Sequence, residues 1–85
     1  MEGKPRQGGR NRPPDGPTAI AVGQNIHRLR VKRGLTLEVL AARAGYAVPT
    51  LCNIEKGRRL PSTIQLPRLA VALDCTVSDL FAGAL

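Results

Sequence analysis

The chain has 85 residues, room for one small domain, of which 42% are hydrophobic and 22% charged. Thirteen Lys and Arg against six Asp and Glu give a formal charge of +7, a balance that points to a polyanionic partner. No apolar run approaches the length of a membrane span, no charged-then-apolar leader opens the chain, and 2% aromatics cannot furnish the stacking platforms of single-strand binders. A cytoplasmic protein working at the nucleoid, without a membrane partner, is therefore expected.

Residues 1–18 read as a disordered basic arm. Within its first 17 positions stand four glycines and four prolines, which resist helix and strand alike. Lys4, Arg6, Arg10 and Arg12 outnumber Glu2 and Asp15 there. From Ala19 the pattern turns helical and a domain over 19–85 is expected. Val22, Ile26 and Leu29, spaced by four and three, share one face, with Gln24, Asn25, Arg28, Lys32 and Arg33 on the others. Gly34 supplies a left-handed stop. Thr36 is placed to cap a second helix, with Glu38 in its first turn and Val39, Leu40 and Ala44 as its apolar side. Gly45 ends it.

A third helix is expected over 48–56, with Pro49 tolerated in its first turn and Gly57 as its stop. Ser62-x-x-Gln65 has the form of a capping box ahead of Leu66, Leu69, Ala70 and Leu73. Thr76-x-x-Asp79 opens a last short helix through Leu80 and Phe81, closed by Gly83. Five short helices and no credible strand make the fold class all-α.

Cys52 and Cys75 are the only thiols and His27 the only imidazole. They match no zinc spacing, so no metal and no cofactor is expected, and the cysteines read as small, reduced apolar side chains. His27 reads as a solvated helix residue. No nucleophile, base and orienting group converge; no catalytic residue is assigned and no enzyme is expected.

Function concentrates in Leu37–Lys56. Two short helices meet at Gly45, with Ala41 small enough for close approach and Leu40, Ala44, Leu51 and Ile54 facing inward. A helix-turn-helix needs this set, because the apolar quartet fixes the crossing angle that lets the second helix stand out into a major groove. An ordinary helical hairpin satisfies the same spacing. Beyond that centre, the chain from Val22 to Phe81 resembles the lambda-repressor-like DNA-binding domain of the Cro/cI (XRE) type. The matching residues are Gly23-x-x-Ile26-x-x-Leu29-Arg30-x-x-Arg33-Gly34-Leu35-Thr36 and Leu40-Ala41-x-x-Ala44-Gly45. They continue through Thr50-Leu51-x-x-Ile54-Glu55-x-Gly57-x-x-x-Pro61-Ser62, Leu66-x-x-Leu69-Ala70-x-x-Leu73 and Val77-x-x-Leu80.

The resemblance implies a five-helix fold with 48–56 as the recognition helix, usually dimeric on a palindrome. It implies that Arg30 pairs with Glu55, a fork that gives orientation as well as energy. Thr50 matches a phosphate contact and Asn53 a base reader, and Asn suits adenine. Lys56, Arg58 and Arg59 follow the helix where phosphates run. Where relatives carry a phosphate-gripping Gln this chain has Leu37, so Thr36 and the helix amides are left for that role. Val48 and Pro49 offer no donors, although Val48 can pack on a thymine methyl. Base readout then rests on Asn53, Thr50, Cys52 and the basic loop.

The expected function is a sequence-specific double-stranded-DNA-binding transcriptional regulator of minimal repressor or controller type. Phe81 and Leu85 are the expected homodimer contacts. Two alternatives use the same fold: the antitoxin of a toxin–antitoxin pair, and a protein-interaction module in which Leu37, Val48 and Pro49 make an apolar patch. A protein partner, toxin or regulator, goes with these.

Overall fold

The computed structural model describes residues 16–84, and among them there is no strand. Five helices follow in order: α1 Pro17–Lys32, α2 Leu37–Ala44, α3 Val48–Glu55, α4 Gln65–Ala72 and α5 Val77–Leu80. The all-α expectation holds. Pro17 occupies the first helical turn, where its missing N–H has no intrahelical role, and Ala19 is already buried. Helix thus begins two residues earlier than the expected domain start. The remainder of the basic arm, Met1–Asp15, lies outside the described residues, as does Leu85.

The punctuation read from the sequence is in place. Thr36 Oγ1 accepts from the Val39 amide at 3.1 Å and caps α2. Gly45 closes α2 at φ 77°, with the Tyr46 amide reaching back to the Ala41 carbonyl at 2.8 Å. Ser62 Oγ accepts from the Gln65 amide at 3.2 Å, one turn ahead of the regular part of α4. Thr76 and Asp79 form a reciprocal capping box on α5. That exchange also holds the Asp79 carboxyl below the usual aspartate range, because the Thr76 backbone N–H and then its hydroxyl favour the charged form.

The core gathers Val22 and Ile26 of α1, Leu40 and Ala44 of α2, Leu51 and Ile54 of α3, Leu69 and Leu73 of α4, and Leu80 of α5. Helix α1 packs on α3 and α5, while α2 lies against both α3 and α4. The approach of α1 to α3 depends on Gly23: a Cβ there would fall on the carbonyl oxygens of Ile54 and Glu55. Gly57 answers from the other side. It turns the chain out of α3 at φ 76°, and a Cβ on it would lie 2.8 Å from Ile20 Cα.

Two assignments of side chains to faces change. Asn25 is 5% exposed instead of lying on the polar side. Its Nδ2 donates to the Leu80 and Ala82 carbonyls at 2.9 and 2.8 Å. A one-turn helix leaves its carbonyls without intrahelical partners, and Asn25 meets two that α5 and its exit present to α1. Val39, assigned to the apolar side of α2, is 38% exposed, because the buried stripe runs through Leu40, Ala41 and Ala44. Phe81 packs in part against the core, so its ring is not free in full for a second protomer.

Candidate nucleic-acid interface

Leu51 and Ile54 are fully buried and fix the rotation of α3 about its axis. Pro49 is consequently exposed, and Thr50, Cys52 and Asn53 line the outer side half-buried. Ala47, the N-cap, offers no side-chain acceptor, so the first amides of α3 are left for an incoming one. At the other end the Arg58 amide donates to the Asn53 carbonyl at 2.9 Å. The basic loop is thereby folded onto the end of α3, with Lys56 and Arg59 exposed and Arg58 half-buried.

The start of α2 contributes a second anion-seeking point. Thr36 takes the Val39 amide on its hydroxyl oxygen and the Leu40 amide on its carbonyl. The Leu37 and Glu38 amides remain at the positive end of the helix dipole, and the Thr36 hydroxyl keeps its own proton to donate. Leu37 itself packs against the core, as does part of Val48. The apolar patch expected from Leu37, Val48 and Pro49 is therefore reduced, since two of its three members are drawn partly inward.

Arg30 and Glu55 meet as a fork, Nε to Oε2 at 2.7 Å and Nη2 to Oε1 at 3.1 Å. Arg30 also donates Nη1 to the Leu35 carbonyl at 2.9 Å, so one guanidinium ties α1 to the α2 entrance and to the end of α3. The bond to Glu55 raises the Arg30 pKa despite burial, holding the charge in place. Both side chains are largely shielded from water, at 14% and 8% exposure.

His27 is solvated as expected, its side chain 56% exposed, and it is in addition a third partner of this site. Its Nδ1 lies 2.8 Å from Glu55 Oε1; an ionised carboxylate only accepts, so the imidazole N–H is the donor. Its position three residues before Arg30, on the same side of a helix, was the available signal. Arg33, placed by the sequence on a polar face of α1, donates to the Leu73 and Asp74 carbonyls at 3.0 Å each and caps the end of α4. Arg28 donates to Asn25 Oδ1 at 2.8 Å. Cys52 and Cys75 are both unpaired. Burial, with Asp79 next, pushes the Cys75 thiol up, away from the reactive thiolate form. No cluster of His, Cys, Asp and Glu among the described residues could hold a metal.

A family model described as "Helix-turn-helix domain" matches residues 21–81, most of the chain. The chain belongs to this helix-turn-helix family. The helix-turn-helix regulator y4dJ of Sinorhizobium fredii, described as uncharacterized, is 48% identical over 52 residues, which cover 61% of this chain and 68% of that protein. Among solved structures, the restriction-modification controller protein C.AhdI of Aeromonas hydrophila superposes with a TM-score of 0.71 at 33% identity, covering 74% of this chain and 96% of its own. The biofilm master regulator SinR, solved in complex with DNA, gives 0.65 at 35% identity over 69% of this chain and 95% of its own. The helix-turn-helix is here α2–Gly45–α3, and the lambda-repressor-like resemblance is borne out across all five helices.

Proposed function

We propose that the chain is a sequence-specific transcriptional regulator that binds double-stranded DNA by laying α3 in the major groove. The observation that carries the reading is the orientation of α3. Its apolar side is locked into the core, its polar side faces outward, and a loop with Lys56, Arg58 and Arg59 is hydrogen-bonded to its end. Thr36 and the first amides of α2 give a phosphate contact on one flank and the basic loop gives one on the other. Asn53 reads a base edge between them, since its amide donates and accepts at once, as adenine requires. Membership of the family, and relatives named as transcriptional regulators, support the same reading.

The working unit is a homodimer on two half-sites about 34 Å apart, one helical turn of duplex, in the cytoplasm. No helix among the described residues is long and apolar enough to cross a membrane. The interaction-module alternative is left with a smaller apolar patch to rest on, because Leu37 and Val48 pack partly against the core.

Selection of bound duplexes from a random pool tests the proposal directly and is expected to return a palindrome. On that sequence Asn53→Ala should cost about 1–3 kcal/mol while hardly altering affinity for random duplex. Arg58→Ala should weaken both about equally. An unchanged preference in Asn53→Ala would refute the register proposed for α3.

A further inference from the structure

A groove of about 550 Å³ opens between the last turn of α2 and the outer side of α4, lined by Arg43, Pro67, Arg68, Val71 and Ala72. Its floor is apolar and unusually bare: Val71 is 81% exposed. Beyond the lining, the helical N-cap of α4, Ile64, is 70% exposed, and with Pro67 and Val71 it makes spacings of three and four, so the apolar stripe runs for about two turns, roughly 10 Å. The rim is cationic. Arg43 stands on the α2 side, and the Arg68 guanidinium lies over the Gly45 turn, its Nη1 3.1 Å from where a Cβ on that glycine would sit. Neither arginine has a hydrogen bond or ion pair to another described residue, whereas Arg30 and Arg33 are both engaged.

The groove opens at the far end of α2 from the turn proposed to meet phosphate. Arg43 lies at the opposite end of α2 from Thr36, and α4 packs on α2 and α5 while α3 packs on α1 and α2. An apolar stripe two turns long between two guanidiniums that have no partner among the described residues is the negative image of an amphipathic helix with apolar knobs at i, i+3 or i+4, and i+7, and carboxylates along its flanks. Charge selects the occupant. A second copy of this chain brings a formal charge of +7, and its arm offers Lys4, Arg6, Arg10 and Arg12, so both meet like charge at the rim.

We infer that the α2–α4 groove is a docking site for an acidic amphipathic helix of another protein, engaged by Val71, Arg43 and Arg68. Such a site lets the regulator carry a partner while α3 stays on DNA, and it does not depend on what α3 reads.

The test uses the full chain and a fluorescent synthetic helix with Leu at i, i+3, i+4 and i+7 and Glu on its flanks, followed by anisotropy. A peptide with Lys in place of each Glu is the control. The Glu peptide should bind and the Lys peptide should not. Val71→Asp and Arg68→Glu should each weaken binding about tenfold or more, with helical circular dichroism unchanged because both side chains are exposed. Arg59→Glu, in the basic loop, should leave peptide binding intact. Equal binding of the two peptides, no binding of either, or loss with Arg59→Glu but not Val71→Asp would overturn the assignment. A change in the sedimentation of the chain alone on Val71→Asp would also overturn it, since a second copy would then cover the groove.

Discussion

The Tyr46 hydroxyl is sealed from solvent and has no hydrogen-bond partner among the described residues. Burial pushes the phenol up to about 12, with Arg59 pulling it back. A folded-state value above the ordinary one means that the native protein holds this proton more tightly than the unfolded chain does. The linked stability is complete below pH 10 and is lost as pH rises from there toward about 12. Tyr46 is the only tyrosine and there is no tryptophan, so tyrosinate absorbance reports on it alone. Its midpoint should come near 12 or coincide with loss of helical signal; a midpoint near 10 in a folded chain would contradict the burial. Tyr46→Phe, which removes the unsatisfied hydroxyl, should raise stability by about 1 kcal/mol. Nothing in the sequence marks Tyr46 this way, since the pattern around Gly45 asks only for a turn.

At the level of elements, what could be read beforehand was whatever a few adjacent residues decide. Thr36, Gly45, Ser62 with Gln65, and Thr76 with Asp79 act on amides within their own turn, and each stands where its spacing put it. The orientation of α3 was legible for the same reason, because Leu51 and Ile54 fix it alone. Asn25 was placed on the wrong side, and the bonds of the exposed His27 and Arg33 were not foreseen, because their partners arrive from α5, α3 and the end of α4, between 28 and 57 positions away. The α1–α3 contact also has this long-range character and rests on the absence of a side chain. Gly23→Ala, which favours α1 by propensity, should nonetheless destabilise the domain by about 1–3 kcal/mol through overpacking against α3. Chemical denaturation checks this, and a stabilised variant would mean that α1 and α3 part readily.

For the molecule as a whole, the useful charge is smaller than the formal one. Arg30 and Arg33 are committed to Glu55 and to the end of α4, and Arg28 to Asn25. Arg43 and Arg68 lie on the α4 side. Lys56, Arg58 and Arg59 remain beside α3, joined by the amides at the start of α2. With three to four phosphates neutralised per domain and two domains in the working dimer, log K against log salt should fall with a slope of about −5 to −7. Fluorescence anisotropy across a salt series checks it, and a slope near zero would remove the electrostatic basis of binding. Arg30, joined to Glu55, to the Leu35 carbonyl and through Glu55 to His27, bears on this in another way. It fixes the distance from the Thr36 end of α2 to Asn53, so the protein has little freedom to adjust to a duplex of the wrong shape. Adjustment then falls to the DNA. Sites rich in flexible pyrimidine–purine steps should be favoured at base pairs that no side chain touches, and the chain's preferences will be partly a record of how easily each sequence bends to meet it.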